Sequence, residues 1–379
     1  MEKETLLQKV NRRAWFEFRN RLKGKNYLLT FRSYWHYLLR KRKVNLPNTT
    51  SYYSARPNIY AGIGHQMANW IAGLWWSRQF GLSYASIPFS TDKWDEFLGF
   101  GLNEVQYYDL IKQGYKVRRL PAFNENNREE VLLHKAIINS YSGTKTILLA
   151  IQDHGYSEQF GVMNDIKSKF KNAPARKNNK IQYDKSKFNI AVHVRRTVII
   201  DGKTILEDNA AQKLRWLSND YYEKVLVQVL ENIKVDKSIA VWLFSTGKAE
   251  EFAEFNKYGE IHFCSDMDEY QSFAHLVYAD MLITSKSSFS YKPALMNDGI
   301  KICPRNFWHG YPDTKDWILV ENDGTFDVSK LNGIETTDNG QRTADNGKKS
   351  KEQRAKTTDN GQRTADDRRQ TTEEEQRKK

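Results

Sequence analysis

The sequence predicts an α/β protein of two Rossmann-like domains facing a cleft, with a basic helical N-terminal segment and a disordered C-terminal tail. Three observations carry this. Short apolar runs alternate with stretches of helix length through the middle of the chain, basic charge is concentrated in the first 43 residues, and a ten-residue string repeats near the end. A length of 379 residues suffices for two domains of ordinary size, each with its own core.

The alternation is clearest in the C-terminal half. Strands are expected at Phe188–Val194, Ile239–Phe244, Ile261–Cys264, Met281–Thr284 and Lys301–Cys303. Helices are expected between them at Asp220–Ile233, Glu250–Tyr258, Glu269–Tyr278 and Tyr291–Asn297. Near-continuous apolar strands separated by helices are the pattern of a parallel sheet covered on both faces. In the N-terminal half, Ile59–Ala61 leads through Gly62-Ile63-Gly64 into a helix from about Gln66 to Phe80, with strands at Ser83–Ile87, Lys116–Leu120 and Ile147–Ile151. Two such halves hold a ligand between them, at the carboxyl ends of their strands. The expected boundaries are 1–43 for the basic segment, 44–57 for a linker, 58–179 and 180–333 for the two α/β domains, and 334–379 for the tail.

The net charge of +13 does not belong to the domains. The first 43 residues carry +10 of it and residues 334–379 carry +2, which leaves the middle near +1. A nucleic-acid groove needs Lys and Arg clustered on the fold itself, so nucleic acid is not an expected partner. In the basic segment Trp15, Phe16, Phe18, Tyr27, Phe31, Tyr34, Trp35 and Tyr37 are interleaved with the charges. Such a helix suits an anionic membrane surface, and equally suits docking of its aromatics on the chain's own body. At the other end, TTDNGQRTAD occurs at Thr336–Asp345 and again at Thr357–Asp366, almost without large apolar side chains. That composition cannot offset its ordering entropy.

Cys264 and Cys303 form no metal-ligand spacing with the eight histidines and read as buried thiols in a reducing compartment. No apolar run approaches the ~18 residues that span a bilayer. The expected location is the cytoplasm, peripheral at the inner membrane face if the basic segment binds lipid. The single Asp-x-Asp of the middle region, Asp266-Met267-Asp268, has polar neighbours and reads as a helix start, so no metal and no cofactor are expected.

Three stretches could carry chemistry. His193-Val194-Arg195-Arg196 ends the first strand of the C-terminal half, and alternation sends His193 and Arg195 to one face and Arg196 to the other. Arginine there can hold a diphosphate bidentately and stabilise a departing nucleoside diphosphate without a metal; the plain alternative is a solvated basic turn. Gly62-Ile63-Gly64-His65-Gln66 lies between strand and helix, where glycines let backbone N–H groups approach a ligand. It lacks the third glycine of a dinucleotide loop and the Lys-Ser/Thr of a P-loop. Asp280–Tyr291, DMLITSKSSFSY, ends a strand and opens a helix with Ser287, Ser288 and Phe289, offering hydroxyls and free N–H groups, as a capping cluster alone would.

In this order, GIGHQ, HVRR and ADMLITSKSSFS resemble the three motif regions of the α-1,2-fucosyltransferases and, more widely, of fucosyltransferases with an HxRR element, over about residues 58–325. Two positions differ from the family pattern. His65 stands where the early motif usually has Asn, and Val198 where HxRR is commonly followed by Asp. The resemblance implies a GT-B-like fold, GDP-fucose as donor, a glycan acceptor, inversion at the anomeric carbon and metal independence. It implies a donor domain at 180–333, leaving 58–179 as the acceptor side. It also implies that Arg195 engages the donor diphosphate with Arg196 in support, and that the Ser-rich motif lies near the donor. The candidate donor-binding set is therefore Gly62, Gly64, Gln66, His193, Arg195, Arg196, Ser287, Ser288 and Phe289. Inverting transfer also needs a base for the acceptor hydroxyl. His65 and Asp201 are the candidates, with Glu207 and Asp208 close behind. The competing readings are a transferase of another nucleotide-activated sugar and a non-catalytic membrane-surface protein.

Overall fold

Two fully parallel sheets organise the chain in the computed structural model, which describes residues 27–40, 49–150, 157–196, 198–200, 203–205 and 215–332. Both sheets belong to one compact unit. The first contains β1 (Tyr52–Ala55), β2 (Ser83–Ser86), β3 (Val105–Gln106), β4 (Lys116–Arg119) and β5 (Thr146–Ala150), in the order β3-β2-β1-β5-β4. Its helices are α1 (Arg32–Arg40), α2 (Ile63–Gln79), α3 (Asp92–Leu98), α4 (Tyr107–Lys112) and α5 (Arg128–Asn139). The helix α6 (Met163–Asn172) leads from this half to the next.

The second sheet follows from the apolar run of β6 (Phe188–Val194). This strand is buried along nearly its whole length and is flanked in register by β9 (Ile239–Ser245) over seven pairs and by β11 (Met281–Ile283). With β10 (Ile261–Phe263), β12 (Ile300–Pro304) and β13 (Trp317–Val320) the order is β10-β9-β6-β11-β12-β13. Between β6 and β9 come a short antiparallel hairpin of β7 (Val198–Ile200) and β8 (Lys203–Ile205), then α7 (Asn219–Asn232). The helices α8 (Glu269–Tyr278) and α9 (Ser288–Met296) complete the half. Burial on both faces is what an all-parallel sheet requires, and it explains why these strands read as continuous apolar runs.

The halves share one core. Trp94 and Phe97 of α3 pack on Tyr270 and Phe273 of α8, with ring centroids 4.2–5.8 Å apart. Lys292 of α9, fully buried, donates to Gln159 Oε1 at 2.5 Å. Lys167 and Lys171 of α6 both reach Asp298.

One expectation is corrected. The linker expected at 44–57 contains β1, the middle strand of the first sheet. Its Ser54 sits in the core because its hydroxyl donates to the Ala85 carbonyl at 2.7 Å. The strand therefore ends before Ile59–Ala61, which form the loop into α2. The basic segment, where described, lies against the first half: Phe31 is buried, Ser33 Oγ donates to the Arg119 carbonyl at 2.7 Å, and the His36 ring stacks on Tyr141 at 3.9 Å. Tyr34 and Tyr37 join the same core, whereas Trp35 and Leu39 stay exposed, Leu39 at 84%. Residues 1–26 and the repeat tail 334–379 lie outside the described residues. Among the described residues no helix is long and apolar enough to cross a membrane.

Candidate active site

In a doubly wound sheet, loops on the two sides of the point where strand order reverses diverge and open a crevice at the strand carboxyl ends. In the second sheet that point lies between β6, followed outward by β9 and β10, and β11, followed outward by β12 and β13. The register pairs Val192 with Ile283, so the residues just beyond, His193–Arg195 and Thr284–Ser287, emerge side by side at this point. His193 Nδ1 and Ser285 Oγ lie 2.8 Å apart, and Ser285 N–H donates to Ser290 Oγ at 3.2 Å. Burial, with the charge of Arg195 beside it, pushes the His193 pKa down to about 3. The imidazole is therefore neutral at physiological pH, with Ser285 fixing its orientation.

The two arginines part as alternation predicts, with different consequences. Arg195 Nη1 donates to Ser287 Oγ at 3.1 Å, beside the N-terminus of α9, where Ser287 also caps Phe289 N–H at 3.2 Å. No described carboxylate lies within ion-pair distance of Arg195. Burial, then the neighbouring charge of Arg215, lowers its pKa. Arg196 turns to the other side. Its Nη1 donates to the Arg195 carbonyl at 3.2 Å and the Leu217 carbonyl at 3.0 Å, its Nη2 to Asn219 Oδ1, and Trp216 covers it at 4.5 Å. Its guanidinium is occupied within the protein, so it holds the strand end and does not join Arg195 in facing a ligand.

The glycine turn of the first half comes up to this place. It follows β1, whose neighbours β2 and β5 mark the corresponding reversal in the first sheet. Helix α2 begins at Gly62 without a side-chain cap, and a Cβ on Gly62 would meet nothing within 4 Å. A Cβ on Gly64, in contrast, would lie 2.6 Å from the Ser288 carbonyl carbon, so the N-termini of α2 and α9 touch backbone to backbone. His65 is half-buried on that same first turn. Gln66 is spent internally: its amide donates to the Ala61 carbonyl and Ser90 Oγ, both at 2.9 Å, and its carbonyl accepts from Ser90 N–H at 2.9 Å. It braces the glycine turn. Phe289 packs on the His193 ring at 5.7 Å and on Phe273.

Thus Gly62, Gly64, His65, His193, Arg195, Ser287 and Ser288 come together, while Gln66 and Arg196 support them from behind. Asp201, Glu207 and Asp208 lie outside the described residues. Asp268 caps α8, accepting from Tyr270 and Gln271 N–H at 3.0 and 2.8 Å. Among the described residues no group of three His, Cys, Asp or Glu side chains could hold a metal ion. Cys264 and Cys303 are buried free thiols, each pushed up to about 12 by burial. Arg215 and Trp308 were not anticipated. The Arg215 guanidinium lies 4.4 Å over the Trp308 ring, and nothing in Leu214-Arg215-Trp216 marks it in sequence.

No family model and no curated protein sequence matches the chain. Among solved structures it is similar to an Arabidopsis thaliana FUT1 mutant in complex with GDP, at 11% identity over 80% of this chain and 81% of that one, with a TM-score of 0.39. It is similar also to POFUT1 in complex with GDP-fucose, at 13% identity over 66% and 95% of the two chains, with a TM-score of 0.39. A third is NodZ α-1,6-fucosyltransferase co-crystallized with GDP, at 14% identity over 74% and 98%, with a TM-score of 0.40. At such identities and scores the functional reading rests on the residues of the site.

Proposed function

We propose that the chain is a glycosyltransferase that takes fucose from GDP-fucose and transfers it, with inversion and without a bound metal, to a hydroxyl of an acceptor sugar in a surface glycan. The observation that carries this is Arg195: a half-buried guanidinium with no carboxylate partner among the described residues, at the strand-order reversal of a parallel sheet, hydrogen-bonded to a serine at a helix N-terminus. An uncompensated cation in such a place favours an anionic ligand. The resemblance of GIGHQ, HVRR and the Ser-rich motif to the α-1,2-fucosyltransferases supports GDP-fucose as the donor and an α-1,2 linkage.

In this reading the diphosphate lies between Arg195 and the N–H groups at the start of α9, with the exposed Gly62 turn leaving room for the sugar. As the C1–O bond to the diphosphate breaks, negative charge builds on the leaving oxygen, and Arg195 stabilises it more than it stabilises the intact donor. The acceptor hydroxyl attacks the opposite face of C1 and gives its proton to His65 or to Asp201. The acceptor is held by residues 58–179, and the basic segment brings the protein to an anionic membrane face.

The test is a screen of the purified full chain against nucleotide sugars, reading free nucleoside diphosphate with and without acceptor glycans. GDP release from GDP-fucose alone among the donors, unaffected by EDTA, supports the reading; methylation analysis of the product gives the linkage. Turnover of a different nucleotide sugar makes the chain a transferase of that sugar, and no turnover with retained liposome binding makes it a membrane-surface protein.

A further inference from the structure

The turn at residues 215–219 is fastened to the end of β6 through Arg196. Arg196 donates to the Leu217 carbonyl and to Asn219, and stacks on Trp216. Asn219 in turn donates to the Glu251 carbonyl and to Glu254 Oε1, both at 2.6 Å. What this anchoring delivers is Arg215, the residue just before it.

Arg215 has an unusual environment. Its guanidinium rests on the Trp308 ring, its Nε is buried without a hydrogen-bond partner, and it makes no ion pair with any described residue. Trp308 is itself half-exposed, at 49%. The charge of Arg215, after burial, helps to lower the pKa of Arg195. Two guanidiniums that pair with no described carboxylate favour an anion, and a fork backed by an aromatic ring is oriented before it binds.

We propose that Arg215, carried by the turn that Arg196 fastens and backed by Trp308, is a second guanidinium for the phosphates of the nucleoside diphosphate, acting beside Arg195. This rests on the donor reading above and adds to it the residue that distinguishes a diphosphate from a monophosphate. One arginine suffices for a single phosphate, whereas two give the second phosphate a partner of its own.

The experiment is calorimetric titration of the full chain with GDP, GMP and inorganic pyrophosphate, for the wild type, Arg215→Gln, Arg215→Lys and Trp308→Leu. Arg215→Gln should weaken GDP and pyrophosphate by about 10- to 100-fold, the range of a lost charge-assisted hydrogen bond, and GMP by less than about 3-fold. Arg215→Lys should recover only part of the loss, and Trp308→Leu should weaken GDP by about 3- to 10-fold through loss of the backing ring. Equal loss of GDP and GMP, or an unchanged preference for GDP in Arg215→Gln, overturns the proposal while leaving the donor reading intact. If the wild type binds pyrophosphate but not GDP, the donor reading fails, and the Arg215→Gln effect on pyrophosphate decides this proposal separately. If the wild type binds none of the three, both are overturned. Arg215→Lys keeps the test decisive should the glutamine variant fold poorly.

Discussion

On the C-terminal wall of the site the groups that face a ligand are side chains: the Arg195 guanidinium, the Ser287 hydroxyl and the His193 ring locked to Ser285. On the N-terminal wall they are mostly backbone, because Gly62 and Gly64 bring only peptide groups and the Gln66 side chain is used to brace the turn, which leaves His65 as the side chain with a proposed role. A wall of side chains tolerates substitution one function at a time. A wall of backbone packed against another helix does not, since any added atom must move a helix.

The largest effect should therefore come from the smaller residue. Gly64→Val places carbon atoms where the Ser288 backbone already lies, 2.6–2.7 Å from the would-be Cβ. Helix backbone cannot give way as a flexible side chain does, so the cost is the upper end of the usual overpacking range, about 3 kcal/mol or more. Purified Gly64→Val should melt well below the wild type and lose donor turnover together with it. A variant with wild-type melting temperature and turnover would show that the two helix N-termini do not meet as described.

The two neighbouring arginines sharpen the contrast within one wall. Arg195→Ala should cut turnover by about 10²- to 10³-fold, by analogy with removal of a transition-state hydrogen-bond donor, and leave the melting temperature nearly unchanged. Arg196→Ala should do the reverse first. It strips partners from the Leu217 carbonyl and Asn219 in a place where Arg196 is 9% exposed, costing about 1–3 kcal/mol of stability, with activity falling as a consequence. Thermal denaturation and donor hydrolysis measured on both variants separate the two roles. Equal loss of stability in Arg195→Ala would mean that it too is structural.

Histidines divide in the same way. His193 has Ser285 as a partner, whereas both ring nitrogens of His134 are buried without one, among Phe80, Phe123 and Tyr53. Burial pushes the His134 pKa from 6.5 down to about 3. Between those values the unfolded chain binds a proton that the folded chain refuses, so stability falls as pH drops below about 6.5, by at most about 1.4 kcal/mol per pH unit. His134→Phe removes this penalty and the two unsatisfied nitrogens. Its melting temperature should exceed that of the wild type, and the gap should widen from pH 8 to pH 5. A constant gap would assign the effect to packing alone.

Much of the C-terminal half was legible because its strands are buried on both faces. Phe188–Val194 and the helix Glu269–Tyr278 have the bounds that their apolar patterns predict. β1 was hidden because Tyr52-Tyr53-Ser54-Ala55 carries no aliphatic run, and only its neighbours in space, such as the Ala85 carbonyl that satisfies Ser54, make it a core strand. The site was legible in part for the same reason. Strand alternation separates Arg195 from Arg196, yet only the contacts of Leu217 and Asn219 reveal that Arg196 is committed to the fold. Arg215 gave no signal, because its meaning comes from Trp308, which lies 93 residues later in the chain.

The smallest effect concerns α1, which braces the N-terminal wall from outside. Its inward side is structural: Tyr34 and Tyr37 pack on the core of the first half, and Ser33 Oγ donates to the Arg119 carbonyl. Its outward side bears Trp35 and Leu39, exposed at 49% and 84%, next to Arg32 and Arg40 in a segment of charge +10. Those apolar atoms touch little of the protein, so a Trp35→Ser, Leu39→Ser double variant should keep its melting temperature within about 0.5 kcal/mol of the wild type. If this side meets the membrane, the basic residues contribute about 1 kcal/mol each near anionic lipid and the two side chains enter the headgroup region. The double variant should then sediment less with phosphatidylserine-containing liposomes at high salt, where the apolar contribution remains, than at low salt, where charge alone still holds it. Unchanged sedimentation at both salt concentrations would leave α1 as a brace and nothing more.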